Sequence, residues 1–374
     1  MIWVALIIVV TTLFYLCFLS VVLWGILRAK RNIQNSMSDV KISVIIPFRD
    51  EAEHIERIVT SLLEMNLSKD KYEIILVDDN SQDDSVKRLQ KYLSKNVKLL
   101  KNKNNLSFGY KKQAITQAID EAEGEIIFLT DADCIPNKNW VKAMMNLFSP
   151  EIGMVVGPVK FIEGNNLFSK LQQLEFAGLM LTAAGLIKSG FATICSSANL
   201  AFQKKVFYEV GGYGDNLNLS SGDDELLMQK IRAMTKHKIE FCWSKSALVE
   251  TNGNKNILDF MQQRRRWASK SLFYKNKLLV LSLMLIFTYY LLLLIFPVLL
   301  IIDYNFFFWL FVFSAGIKLF MEFTIMLQGR KLFFTNKNLR FFFIAEILHV
   351  PYIVFAAILG SFGNYVWKNR KVKR

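Results

Sequence analysis

The sequence is poor in cysteine and poorer in histidine: 4 Cys (Cys17, Cys134, Cys195, Cys242) and 3 His among 374 residues, with no CxxC pair. That scatter excludes a zinc site of the ribbon or finger kind and a disulfide framework, and reduced thiols suit a cytoplasmic domain. His54, His237 and His349 stand far apart and are expected to be surface or core residues. Pro-rich tracts, Gly/Ser-rich tracts and regular internal repeats are all missing, which excludes low-complexity and solenoid architectures. The net charge is +14, yet the basic residues are not interleaved with aromatics on one element. Nucleic acid is therefore not expected as a partner. Anionic membrane lipids at the membrane flanks account for part of the excess.

What the chain does have is long apolar runs at both ends. Residues 2–27 carry no charge, and about 20 apolar residues span a ~30 Å hydrocarbon core. The run lacks a basic start and ends in Arg28, Lys30 and Arg31, so an uncleaved anchor is expected rather than a signal peptide. Residues 278–302 and 306–327 read as two crossings joined by Asp303-Tyr304-Asn305. Residues 341–367 form a third segment, interrupted by Glu346, His349 and Pro351 and expected to bend at the proline and return or to lie in the interface, with a full crossing as the other reading. Lys318 and Glu322 share a helix face and are expected to form a structural ion pair. The expected organisation is an anchor at 1–27, a linker at 28–40, a soluble domain at 41–256, an interfacial helix at 257–277, membrane segments at 278–367 and a basic tail at 368–374. The positive-inside rule places Arg28–Arg31, the soluble domain and the 330–340 loop in the cytoplasm, giving a multi-pass protein of a bacterial inner membrane.

The soluble part alternates short β-branched runs with segments of helical spacing. Strands are expected at 43–47, 73–78, 97–100 and 125–130, helices at 52–67, 83–93 and 110–121. A strand at 154–159 and a helix at 167–187 are expected beyond them. Such alternation predicts a mostly parallel sheet covered on both faces, with the ligand at the carboxyl ends of the strands. Those ends carry Pro47-Phe48-Arg49-Asp50-Glu51, Asp78-Asp79-Asn80-Ser81 and Asp131-Ala132-Asp133. Converging acids call for a cation or a cationic substrate. Carboxylates two apart in a turn can reach one hard ion, Mn²⁺ or Mg²⁺, whose shell phosphate oxygens complete. Asn80 or Ser81 could also cap the helix at 83–93.

Five motifs occur in order: SVIIPFRDEAE (43–53), LVDDNSQDDS (76–85), LTDADC (129–134), SGDDELL (221–227) and QRRRW (263–267). In these, residues 41–270 resemble family-two glycosyltransferases, in particular the membrane-bound branch with ceramide glucosyltransferases and the synthases of cellulose, chitin, hyaluronan and poly-N-acetylglucosamine. The resemblance implies an α/β, Rossmann-like glycosyltransferase A-type domain with flanking transmembrane helices. It implies a nucleotide-sugar donor, a lipid or glycan acceptor, and Mn²⁺ or Mg²⁺. It assigns Pro47, Glu51 and Asp79 to the nucleotide-sugar, with Asp79 near the uracil of a UDP-sugar. It places Asp131 near ribose and phosphates, makes Asp133 the metal ligand and Asp224 the general base of inverting transfer. Lys111 matches a lysine that opens the helix before the DxD strand. Gln263, Arg266 and Trp267 match the QxxRW motif that holds pyrophosphate and borders the acceptor. Asp223 stands where the family often has Glu, and Thr116 where Asn is usual.

The residues themselves are consistent with those roles. From Gln263, Arg266 and Trp267 lie one turn on and share its helix face, whereas Arg264 and Arg265 are expected to meet lipid headgroups. Asp223 and Glu225 are expected to press on Asp224 with like charge. Single sugar addition to a lipid is the expected reaction. A sugar–polyprenyl-phosphate synthase, a non-catalytic membrane scaffold and a transporter are the other readings.

Overall fold

In the computed structural model, residues 1–31, 40–103, 108–217, 222–270, 274–361, 365–367 and 370–372 are described. Most of the expected linker, Ser221 and much of the basic tail lie outside the described residues. The chain forms two compact units. One comprises Met1–Ile26, Glu163–Leu181 and Gly253–Tyr365; the other comprises Leu27–Ile162, Thr182–Asn252 and Val366–Arg374. The helices are α1 (Ile2–Ala29), α2 (Ile55–Leu63), α3 (Ser85–Leu89), α4 (Tyr110–Glu121), α5 (Trp140–Met145), α6 (Leu167–Lys188), α7 (Lys204–Glu209), α8 (Glu225–Met234), α9 (Ile257–Ala268), α10 (Lys277–Ile302), α11 (Tyr304–Gly329), α12 (Asn336–Leu339) and α13 (Phe342–Ser361).

The second unit is α/β. Its strands are β1 (Ile42–Phe48), β2 (Tyr72–Asp78), β3 (Val97–Lys101), β4 (Ile126–Leu129), β5 (Ile135–Pro136), β6 (Ile152–Val156), β7 (Val159–Phe161), β8 (Leu200–Gln203), β9 (Lys238–Phe241) and β10 (Val249–Thr251). A seven-stranded sheet runs β3-β2-β1-β4-β8-β6-β9, and a three-stranded sheet runs β5-β10-β7. β1 to β4 pair in parallel, while β8 is antiparallel to both β4 and β6. Every residue of β2 is buried, as is every residue of β1 except Pro47; strands covered on both faces read as unbroken apolar runs. The helix α4 starts from Gly109, whose φ of 61° is left-handed. A Cβ there would meet the Leu217 carbonyl oxygen at 1.9 Å, so only glycine fits.

Some boundaries differ from expectation, each for a local reason. At 52–67 the α-helix is α2 alone, its entry held by Glu51 carbonyl bonds from the His54 and Ile55 N–H groups. At 83–93 it is α3 followed by a 3₁₀ turn, Gln90–Tyr92. Neither Asn80 nor Ser81 caps it; Asp83 Oδ1 accepts the Ser85 N–H at 3.0 Å. The run 154–159 divides between β6 and β7, in different sheets. Pro158 has no N–H to continue the ladder, and the Gly157 N–H turns to the Asn199 carbonyl at 2.9 Å.

Asn199 is completely buried and ties that break together. Its Nδ2 donates to the Pro158 and Ala247 carbonyls at 2.8 and 2.7 Å, and its Oδ1 accepts from Trp140 Nε1 at 2.7 Å. Asn199→Ala strands three buried polar groups, each costing about 1–3 kcal/mol. A destabilisation of about 3 kcal/mol is expected, read as a lower midpoint of unfolding in detergent. An unchanged midpoint would remove Asn199 from the stability of this unit.

In the first unit, α1, α10, α11 and α13 are long and apolar enough to cross a membrane. The connection between α10 and α11 shrinks to Asp303, which caps α11 by accepting the Phe306 N–H at 3.0 Å. The third segment is one helix that runs through Pro351 rather than reversing there, and residues 365–367 are a strand instead of its continuation.

The ion pair expected of Lys318 and Glu322 is part of something larger, and His349 is not isolated. Lys318 Nζ contacts Glu322 at 3.1 Å and also Glu346. His349 Nδ1 lies 3.8 Å from Glu322. Tyr15 donates to Glu322 at 2.7 Å and Tyr290 at 3.3 Å. The cluster thus draws on all four long helices, a connection that sequence spacing within one helix could not reveal.

Candidate active site

The strand ends of the α/β unit build the site. Register sets Phe48 beside Asp78, and the Asp79 N–H continues the ladder to the Phe48 carbonyl at 2.8 Å. The two segments beyond are then stitched to each other. The Asp50 N–H donates to Ser81 Oγ at 3.0 Å, the Gln82 N–H to Asp50 Oδ1 at 2.7 Å and the Glu51 N–H to Ser85 Oγ at 2.8 Å. Asp50 and Asn80 have φ of 51° and 56°. Left-handed non-glycine residues are strained and concentrate at functional sites.

Asp78 and Asp79 are both buried. Asp78 Oδ1 accepts the Ser81 N–H at 2.8 Å, so it shapes its own loop. Asp79 Oδ1 accepts from Asn102 Nδ2 at 3.0 Å, and its carbonyl accepts from Arg49 Nη1 at 2.7 Å. Asn102 was missed by sequence reasoning, although it directly follows β3 and so occupies a fourth strand end. Pro47 is half-buried in β1 and Glu51 half-buried at the loop that follows.

Asp131 and Asp133 follow β4 and are half-buried, with Ala132 buried between them. Asp133 Oδ2 accepts from Thr251 Oγ1 at 3.2 Å. Asp131 Oδ1 accepts from Lys111 Nζ at 2.8 Å. Lys111 also contacts Asp223 at 2.9 Å. Burial alone would lower the Lys111 pKa, but the charges of Asp131 and Asp223 carry it well above the ordinary lysine value. Burial likewise opposes ionisation of Asp223, and the Lys111 charge overrides it, drawing the carboxyl down to about 2. Asp223 is therefore bound up in an ion pair with Lys111.

Asp224 opens α8. Its Oδ1 accepts the Glu225 N–H at 2.7 Å and its Oδ2 the Ser197 N–H at 3.2 Å. Tyr213 is buried nearby, and its pKa rises well above the phenol value through burial, Asp223 and Asp224. Cys134 is buried, and burial with Asp133 and Asp131 raises its thiol, so it is an inert neighbour.

A divalent cation fits this donor set. The carboxylates of Asp131 and Asp133 are hard oxygen ligands in one turn, and Mg²⁺ takes one or two such groups with phosphate oxygens. Among the described residues, the group of three acid or imidazole ligands close enough to hold an ion by protein alone is Glu322, Glu346 and His349, in the other unit.

Gln263, Arg266 and Trp267 lie on α9 in the helical unit, all half-buried. Gln263 Oε1 accepts from Asn254 Nδ2 at 3.0 Å. Trp267 lies 6.1 Å from the Phe176 ring. Arg264 departs from expectation: it is buried, not turned to lipid headgroups. Its guanidinium pairs with Glu175, with Nε at 2.9 Å from Oε1, and lies over Trp267 at 4.2 Å and Phe260 at 4.5 Å. Spacings of three and four place Arg264 on the face of both rings, and Glu175 supplies a partner that no local pattern discloses.

Comparison with known proteins bears on the family and the fold. The family described as "Glycosyl transferase family 2" matches residues 43–211. A glycosyltransferase, AglE, of Haloferax volcanii is 25% identical over 186 residues, 49% of this chain and 58% of the relative. The poly-beta-1,6-N-acetyl-D-glucosamine synthase of Staphylococcus aureus is 25% identical over 248 residues, 61% of this chain and 53% of the synthase. The chain thus spans little more than half the length of these relatives. A mannosyltransferase of Pyrobaculum calidifontis, solved with GDP-Man and Mn²⁺, superposes with a TM-score of 0.55 at 18% identity over 96% of each chain. That likeness shows the fold.

Proposed function

Residues 43–211 match the family described as "Glycosyl transferase family 2", and from that match we propose that this chain is an inverting, divalent-metal-assisted glycosyltransferase at the cytoplasmic face of a membrane. It moves a hexose or N-acetylhexosamine from a nucleotide-sugar, with UDP the preferred nucleotide, to a lipid or glycan hydroxyl. The observation that carries this reading is the Lys111 bridge. One ammonium contacts the first acid of the DxD turn and the acid next to Asp224, which supports reading the donor end and the base motif as parts of one site.

In this reading Pro47, Glu51 and Asp79 hold the nucleoside, and Asp131 and Lys111 border its ribose and phosphates. Asp133 would hold Mn²⁺ or Mg²⁺. When bound, the cation supplies charge that stabilises the departing diphosphate. Asp224 takes the proton from the acceptor hydroxyl as that oxygen bonds to the anomeric carbon. The anomeric carbon–phosphate oxygen bond breaks on the opposite face, and the nucleoside diphosphate leaves with that electron pair. Gln263, Arg266 and Trp267 are assigned to the diphosphate and the acceptor; arginine suits phosphate through paired N–H groups. Basic residues flanking α1 and filling 330–340 support the cytoplasmic orientation.

The test is nucleotide release by the purified chain in detergent. A panel of UDP-, GDP- and dTDP-sugars is supplied with Mn²⁺ or Mg²⁺ and total lipid extract. Release from one donor, dependent on metal and on lipid, is the expected result. A chain that binds and turns over no donor would be a membrane scaffold that has kept the fold.

A further inference from the structure

We propose that Ser197 is a positioning residue that joins the donor-side acid to the general base; this rests on the transferase reading above. An ammonium group has three N–H bonds. Lys111 Nζ donates two of them, to Asp131 Oδ1 at 2.8 Å and to Ser197 Oγ at 2.8 Å, and it lies 2.9 Å from Asp223 Oδ2 as an ion pair. Ser197 is itself buried, and its N–H donates to Asp224 Oδ2 at 3.2 Å. A single residue therefore accepts from the lysine that holds the DxD acid and donates to the base.

The placement of Ser197 is fixed on both sides. Before it, Ser196 Oγ accepts the Ala198 N–H at 3.3 Å and opens a 3₁₀ turn, Ser197–Asn199. After it, Asn199 is anchored through its side-chain amide, and β8 begins in register with β4. Leu129 pairs with Leu200, so Asp131 and Ser197 emerge from neighbouring strands at the same end of the sheet. Without the hydroxyl, one Lys111 N–H loses its acceptor and the ammonium is free to turn toward either carboxylate. The base then loses its set distance from the acid that borders the donor. Such a loss falls on the chemical step more than on donor binding, because misplacement of reacting groups costs rate.

The experiment compares the parent chain with Ser197→Ala, Ser197→Cys and Ser197→Thr in detergent. It measures the melting midpoint, donor Kd, and kcat across pH. Alanine and cysteine are expected to lower kcat about tenfold, the size of one lost hydrogen bond to a charged group. They are expected to leave donor Kd within about twofold and to displace the acid limb of the pH–rate profile. Threonine keeps the hydroxyl and is expected to recover most of the rate. An alanine or cysteine variant with parental kcat and pH profile overturns this inference alone. So does a rate loss that merely follows a fall in melting midpoint and donor binding together, or one that threonine does not recover. A parent chain that turns over no donor overturns the transferase reading, and this inference with it.

Discussion

Asp224→Asn is expected to slow transfer by about 10²- to 10⁴-fold, the usual worth of a positioned base, without unfolding the domain. The carboxylate has two duties. It caps α8 through Oδ1, and it takes the Ser197 N–H on Oδ2. Asparagine caps helices about as well as aspartate, and its amide oxygen can keep one of those bonds, so the cap survives while basicity is lost. Melting midpoint and donor Kd are expected to stay near the parent values while kcat collapses. Should kcat fall only a few-fold, the acceptor is a group that needs no deprotonation, as a phosphate would be. The chain would then belong with the sugar–polyprenyl-phosphate synthases.

Lys318→Met is expected to be the most destabilising single change in the helical unit. The ammonium lies between Glu322 and Glu346, and only 3% of the Lys318 side chain is exposed. Taking one partner out of a buried ion pair typically costs about 3–5 kcal/mol, because the remaining charge is left uncompensated. Here two carboxylates would face each other within helices that read as membrane spans, where ionised groups are costly. The expected readout is a melting midpoint in detergent well below the parent's. Adding Glu346→Gln to Lys318→Met is expected to recover part of the loss, since Tyr15 and Tyr290 still donate to Glu322. A parental midpoint for Lys318→Met would show that the cluster contributes nothing to stability.

Much of the α/β architecture could be read before any coordinates, because its strongest signals are local. β1, β2 and β4 are short, mostly apolar runs with acids at or just beyond their ends, and α4 spans the residues its helical spacing indicated. The misreadings share a cause: they concern contacts between residues far apart in the chain. Ser197 and Asn199 carry no local signal, since their significance lies in Lys111, Asp224, Trp140 and Ala247. Arg264 was turned toward lipid because a helical wheel drawn from Gln263 leaves it off the face. Drawn from Phe260, the same wheel would have kept it in. His349 seemed alone because Glu346 is its only charged neighbour on α13, while Glu322, Lys318 and Tyr290 come from other helices. The reversed direction of β8 was also illegible, as an apolar run of four residues has no polarity of its own.

That reversal also limits how the chain can change over generations. Because β8 runs against β4 and is locked to it from Leu200 onward, the stretch from Ser197 to Leu200 has a fixed length. One inserted or deleted residue would swing every side chain of β8 to the opposite side of the sheet and carry Ser197 away from Lys111. No such constraint acts on 162–166, which leads from β7 to α6 through mostly exposed residues. Descendants of this chain should therefore accumulate gaps and extensions in the latter stretch and keep the former at constant spacing, even where the individual residues drift.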